Sequence, residues 1–284
     1  MNPVNTPKAR WLASLALLMA GAAALLPWAH RPLAEEPQYD LLIVGGHIID
    51  GSGGPWFAGS VAVKDGKIAD VGRLSNATAR QVIDAKGLVV SPGFIDLHSH
   101  SDYTLLVDGA AQSKIRQGVT TEILGESESA APVVGPVVAD FDKGLRRYGF
   151  KRDWTTLGEY FARVERQGIS VNIASYVGSG QVHNCVMGNV NRAPTADELE
   201  KMKSLVEQAM REGAIGLSSG LIYPPNAFAK TDELIELAKV AAKYGGIYAS
   251  HIRSESDTSL SAIDEAIEIS EKGGLPTHIF HFKK

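Results

Sequence analysis

Two histidines separated by one residue, His98 and His100, close the stretch Ser91 to His100, which reads S-P-G-F-I-D-L-H-S-H. In an extended strand, side chains i and i+2 share a face, so the two imidazoles are expected to point the same way. Imidazole nitrogens suit zinc and related divalent metals, and a pair on one strand face makes half a metal site. The pattern alone is weak, because H-x-H also occurs by chance on surfaces. What strengthens it is the placing of further donors: Glu126 in L-G-E-S-E at 124–128, His251 closing Y-A-S-H, and His281 in I-F-H-F. Each falls at the end of an expected strand. Four imidazoles and a carboxylate, with no thiolate among them, suit one or two zinc ions with positions left open for water. Glu122 and Glu128 compete with Glu126, one lying mid-strand and the other further into the loop.

Other histidines read differently. His47 is expected to be a surface strand residue without a partner. His278 alternates out of phase with His281 and is expected to face the helix layer. His183 and the single cysteine, Cys185, are placed in a loop after the third strand.

The elements that must position these donors are legible from Phe94 onward as strands alternating with helix-length segments. Strands are expected at Phe94–Leu97, Val119–Leu124, Ile169–Val177, Ile215–Ser219, Ile247–His251 and Thr277–Phe282. Helices are expected over Asp102–Gln117, Thr156–Arg166, Thr195–Glu212, Asp232–Tyr244 and Ser259–Lys272, with Thr195 opening a capping box and Thr231 capping the next helix. Glu126 to Arg152 reads as an irregular loop. The alternation predicts an α/β chain of parallel βα units, a (β/α)8-type barrel represented by about six units, with its site at the C-terminal strand ends. Six units leave such a barrel open, so the sequence is expected to be a truncated copy of a longer protein. From Tyr39 to Val90, short apolar runs broken by Gly45-Gly46, Gly51 to Pro55, Asp65-Gly66 and Lys86-Gly87 predict a small antiparallel β unit. The expected organisation is therefore 1–38, 39–90 and 91–284.

Composition narrows the function. With 284 residues, 44% hydrophobic, 21% charged and net charge −4, the chain is ordinary globular material. No basic excess points to nucleic acid, and one cysteine excludes an internal disulfide. Lys8 and Arg10 precede an uncharged run from Trp11 to Ala29, the layout of a secretory signal or of an uncleaved membrane anchor. Export to the periplasm or the extracellular space is the expectation, with any membrane contact made through that leader alone.

Five motifs in order resemble one known family: S-P-G-F-I-D-L-H-S-H, Q-G-V-T-T at 117–121, G-L-I-Y at 220–223, Y-A-S-H-I-R-S-E at 248–255 and I-F-H-F-K at 279–283. They are similar to the D-aminoacylase group, the N-acyl-D-amino-acid deacylases of the amidohydrolase superfamily, from about Tyr39 to the last residue. The resemblance implies that residues 39–90 form part of a small β-sandwich. It implies that His98 and His100 hold the more buried metal and that His251 and His281 hold the second. Many members bridge the metals with a cysteine in G-N-C-G. Here Ser127 stands at the cysteine position and Glu126 one residue earlier, so a glutamate bridge is expected. Tyr223 and Lys283 match substrate contacts, and Arg253 of H-x-R either binds substrate or forms a salt bridge with Glu255. The family's catalytic aspartate ends an eighth strand, which this sequence does not include. Ser179 and His183 depart from the family pattern after the third strand.

The implied activity is zinc-dependent hydrolysis of the linear amide of N-acyl-D-amino acids, small-molecule substrates. Another amidohydrolase reaction is the alternative, on a cyclic amide (dihydroorotase-like) or a dipeptide. Such enzymes usually bridge metals with a strand-four lysine, which Ile215–Ser219 lacks. A further alternative is a metal-binding fragment without turnover.

Overall fold

The structure, a computed structural model, describes residues 36–282. The leader to residue 35 and Lys283, with their expected roles as export signal and substrate contact, lie outside the described residues. Among the described residues no helix is long and apolar enough to cross a membrane. The chain divides after Pro92 into two compact units.

The first unit is one mixed sheet of five strands: β1 (Tyr39–Ile48), β2 (Phe57–Lys64), β3 (Lys67–Gly72), β4 (Ala79–Asp84) and β5 (Val89–Val90). Asp65 and Gly66, at φ 51° and 72°, make the tight β2–β3 hairpin expected of Asp-Gly. Two expectations are corrected. Gly45-Gly46 does not end a strand: β1 runs through it with a bulge between Ile43 and Gly46, since an extra residue is absorbed more cheaply than a whole ladder is abandoned. The unit is not purely antiparallel either, because β1 pairs β4 and β5 in parallel. His47 stacks on Trp56 with ring centres 4.1 Å apart, so it has a partner after all.

The second unit carries six parallel strands in barrel order, the first five each followed by helix among the described residues. Strands β6 (Phe94–Asp96), β7 (Val119–Leu124) and β8 (Asn172–Ser175) form one run, and β9 (Val177–Gly178), β10 (Gly216–Gly220), β11 (Ile247–His251) and β12 (Thr277–Ile279) the other. The third unit's strand is split at Tyr176. Its two halves still join the runs, since the Tyr176 amide donates to the Leu124 carbonyl and the Ile215 amide to the Ser175 carbonyl, each at 3.0 Å.

Helices α1 (Thr104–Val107), α2 (Gln112–Ile115), α3 (Val138–Leu145), α4 (Leu157–Gln167), α5 (Ser179–Val186), α6 (Ala196–Arg211), α7 (Thr231–Ala242) and α8 (Ser259–Gly273) fill the connections. Both α4 and α6 open with complete capping boxes, Thr156 with Glu159 and Thr195 with Glu198. Each such cap contributes about 1 kcal/mol. Helix α6 buries Met202, Val206, Ala209 and Met210, a stripe at helical spacing. That stripe joins Leu217 and Tyr248 in the layer between sheet and helices, while Ile123, Tyr176, Ala249 and Phe280 pack on the sheet's other face.

The helix expected over Asp102–Gln117 is instead two single turns. Asp108 accepts the Ala110 amide at 3.0 Å, a local turn that competes with helix, and Ala111 sits at φ 44°. The irregular stretch before Arg152 contains α3. His183 and Cys185 lie within α5, not in a loop, and both are buried. Thr231 is the first residue of α7 rather than its cap, its hydroxyl donating to Glu265 at 2.9 Å.

Candidate metal centre

Four of the six strand ends, the first, second, fifth and sixth, carry the donors. Past β6 the extended pairing continues, with the Ser99 amide donating to Ile123 O at 2.9 Å, so His98 and His100 flank a ladder residue and point together. Both present Nε2 to one oxygen of Glu126: His98 at 2.5 Å and His100 at 3.0 Å from Oε2. The other oxygen, Oε1, faces the second imidazole pair. His251 Nδ1 lies 3.0 Å from Oε1 and His281 Nε2 4.0 Å from it, with the two imidazole nitrogens 3.0 Å apart. Two sets of three donors result, His98–His100–Glu126 and Glu126–His251–His281, and Glu126 belongs to both.

This arrangement fits metal ions on its own chemistry. Lone pairs of carboxylate and imidazole converge at contact distance, which is favourable only around protons or cations. Burial favours a neutral Glu126, but hydrogen bonds from His100 and then His98 outweigh it and bring the carboxyl down to about 2. Burial, then the charge of His281, lowers the pKa of His251 and so keeps its imidazole neutral and free to ligate.

Glu126 is held by the corner that follows it. Ser127 sits at φ 56°, its amide donating to Ser218 Oγ at 3.0 Å and its hydroxyl to Asn226 Oδ1 at 3.3 Å. Gln181 N donates to the Ser127 carbonyl at 2.9 Å. Any β-carbon at Gly178 would collide with that carbonyl, and one at Gly220 with the Ser127 side chain. Strands β9 and β10 are glycine where the corner rests, so the carboxylate between the two imidazole pairs is set by backbone contact.

The competing acids are elsewhere. Glu122, fully buried, accepts from Ser99 Oγ and lies 3.4 Å from Lys114 Nζ, which itself reaches Asp96 at 2.5 Å. Glu128 accepts from Asn184 Nδ2 at 3.3 Å. His183 is buried with Nδ1 3.6 Å from Glu233, away from the donors.

His278 corrects the alternation argument. Its ring lies 5.6 Å from that of Phe280, and Phe280 in turn lies 4.4 Å from His98. His278 therefore shares the face of Phe280, opposite to the helix layer that Ile279 meets. His281 reaches the donors because its backbone turns to φ 30° after the strand has ended.

Arg253 is a second correction. Its guanidinium is spent on Glu265, at 2.8 and 2.9 Å, and on the carbonyls of Ala227 and Ala229 at 3.0 and 2.9 Å. With these donors engaged it ties α8 to the loop after β10, the salt-bridge role of the two expected. The salt-bridge partner is Glu265, nearly two helical turns into α8, rather than the expected Glu255. Glu255 goes instead to His281, with Oε1 2.6 Å from Nδ1, and lies 3.7 Å from His251 Nε2. Its place four residues after His251 was the signal in the sequence. An acid on a ligand's outer nitrogen fixes tautomer and ring orientation.

Beside the donors is a cavity of about 330 Å³ lined by His100, Asp102, Glu126, Arg147, Tyr148 and Tyr223. Tyr223 packs edge-on against His251, ring centres 5.0 Å apart. Burial pushes the Asp102 carboxyl up to about 7.

An open parallel βα sheet with nitrogen and carboxylate donors at its strand ends defines a metal-dependent hydrolase scaffold. The chain belongs to the amidohydrolase family, whose profile matches residues 81–283. Within it the chain is similar to D-aminoacylase of Alcaligenes xylosoxydans xylosoxydans, 38% identical over 88% of this chain and 52% of that one. It superposes on N-acyl-D-glutamate deacylase of Bordetella bronchiseptica, solved with zinc and a phosphonate mimic of the tetrahedral intermediate. There the TM-score is 0.78 at 37% identity, over 84% of this chain and 50% of that chain. A D-aminoacylase studied for its binuclear metal centre gives TM-score 0.77 at 36% identity, over 84% and 50% of the two chains. The resemblance read from the five motifs is thus borne out, and the chain spans about half the length of the curated relatives it matches.

Proposed function

We propose that the protein is a zinc-dependent deacylase of N-acyl-D-amino acids. The observation that carries this reading is the Glu126 carboxylate, one oxygen facing His98 and His100 and the other facing His251 and His281. The relatives named above act on such substrates or carry such metals, which supports it. Zinc at this donor set would acidify a bound water and polarise the scissile carbonyl. The chain's own residues do the rest of the positioning. Glu126, clamped by the Ser127 corner, keeps the two imidazole pairs at a fixed separation. Glu255, its carboxylate 2.6 Å from the outer nitrogen of His281, favours the tautomer that leaves Nε2 for the metal. Tyr223, at the cavity wall beside His251, donates its phenol proton to a substrate carboxylate oxygen, a role that the resemblance shares with Lys283. Proton transfer to the leaving amine is assigned to none of these residues. The strand-four segment Gly216–Gly220 offers serines and no lysine, which favours this reading over a cyclic amidase.

Metal content of the purified protein, with turnover of N-acetyl-D- and N-acetyl-L-amino acids and of dihydroorotate, tests the proposal. D-selective hydrolysis that falls at least a hundredfold in His251→Ala, with loss of bound zinc, is expected. Unchanged zinc and turnover in that variant, or preference for dihydroorotate, would sink it. We also propose export, supported by the basic and then apolar layout of residues 8–29. The mature N-terminus, sequenced from the periplasmic or secreted fraction, checks this, and protein confined to the cytoplasm speaks against it.

A further inference from the structure

A second cavity, of about 360 Å³, opens beside the first under the exposed turn of α3. The two share Tyr103, Glu128, Arg147, Tyr148 and Pro224 in their walls, so they are adjoining compartments of one recess. The inner compartment is lined by two of the metal donors, His100 and Glu126. The outer is walled by Val137, Phe141, Leu145 and the rings of Tyr103 and Tyr148, with Asn184 and Asn189 at its edge. Tyr103 is the hub of these rings, its centre 5.8 Å from Phe141 and 5.6 Å from Tyr148. Two of the shared wall residues hold each other: the Arg147 guanidinium lies 4.8 Å over the Tyr148 ring and donates to its hydroxyl at 2.9 Å.

We propose that the outer compartment is a subsite for an apolar or aromatic group carried by the substrate, and that it selects N-acyl-amino acids with a bulk beyond acetyl and alanine. The inference rests on the deacylase reading for the identity of that substrate. An amide reacting beside Glu126 occupies the inner compartment. Each compartment alone is at the small end of ligand sites, and together they suit a ligand in two parts. The outer walls hold none of the metal donors; ring and aliphatic carbon from Tyr103, Val137, Phe141 and Tyr148 makes one side, and Asp140, Gln181 and Asn184 make the other polar, which favours binding an apolar group with a polar edge over chemistry. The same apolar chemistry can come from a long acyl chain or from a large D-side chain, and the ligands chosen below separate the two.

Gly144 of α3 lines the outer compartment and not the inner, and a β-carbon there meets nothing within 4 Å. Gly144→Trp therefore fills the space from an exposed helical position without straining the backbone, and Gly144→Ala controls for helix propensity. Affinities for N-acetyl-D-alanine, N-octanoyl-D-alanine and N-acetyl-D-tryptophan are measured by calorimetry on chelator-treated protein, so that no turnover intervenes. Each methylene buried is worth about fourfold. The wild type is expected to bind one of the two bulky ligands at least tenfold more tightly than N-acetyl-D-alanine. That ratio should collapse in Gly144→Trp and survive in Gly144→Ala. Whichever ligand shows the gain identifies the group as acyl chain or side chain. A ratio within threefold in the wild type, absence of binding by all three, or a ratio that Gly144→Trp leaves standing overturns the proposal. Turnover of N-acetyl-D-alanine by the zinc-loaded protein is read separately. Its absence overturns the deacylase reading while leaving the affinity ratios to decide the subsite.

Discussion

Replacing Glu255 by alanine should cost the protein its second metal and spare its first. His281 leans on this carboxylate at short range, through Nδ1 at 2.6 Å, while His251 Nε2 is 3.7 Å away. His98 and His100 lean on Glu126 Oε2. The loss therefore falls on the Glu126–His251–His281 set. Removing a partner of this type lowers metal affinity 10–100-fold, or about 1.4–2.7 kcal/mol. Glu255→Gln keeps an acceptor oxygen but not its charge, so an intermediate loss is expected. Titration of zinc against a chromophoric chelator resolves two sites in the wild type, and in Glu255→Ala the weaker should move by one to two decades. Equal weakening of both sites would mean that Glu255 supports the fold and not one imidazole. A second equivalent bound within twofold of wild type would refute the assignment.

Two further outcomes follow from the same geometry. Arg253→Ala breaks the Glu265 pair and two carbonyl contacts, and should cost about 2–3 kcal/mol in denaturant unfolding with KM changed less than twofold; a raised KM at unchanged stability would return Arg253 to substrate binding. Asp102, whose carboxyl is raised by burial to about 7 against an ordinary 3.8, binds a proton in the folded metal-free protein that the unfolded chain gives up. That contribution is fully present below pH 4 and lost as pH rises through 7. The stability of wild type relative to Asp102→Asn should therefore fall by up to about 4 kcal/mol between pH 4 and pH 8, and a gap independent of pH would refute the burial argument.

The parts of this molecule that sequence periodicity reaches are those whose signals are local. Ile247–His251 is a strand with the bounds its apolar run suggests, and the Thr156 and Thr195 caps announce helices within four residues. His98, His100, Glu126, His251 and His281 could be grouped because each ends a strand, and strand ends of parallel βα units share one rim. What escaped depends on distant partners or on single backbone angles. The parallel pairing of β1 with β4 is a tertiary choice that alternation cannot encode. Helix α5 begins S-G-Q and is stabilised by burial rather than propensity. His281 turns towards the donors at one left-handed residue, and period-two reasoning fails there, reversing the expectation for His278 as well. Arg253 finds Glu265 twelve residues on, beyond the reach of any motif.

The shared carboxylate also sets an order of assembly. His98 is 28 residues from Glu126, whereas His251 is 125 residues away. Closing the longer loop costs about 1.3 kcal/mol more in chain entropy, and it also requires the two intervening strands, β8–β9 and β10, to have packed. During synthesis or refolding, the His98–His100–Glu126 half can thus capture an ion once two βα units have formed. The other half is completed only by the sixth. An early ion would then hold Glu126 in place as a template for the last two histidines, and zinc would act as a folding nucleus before it served any reaction.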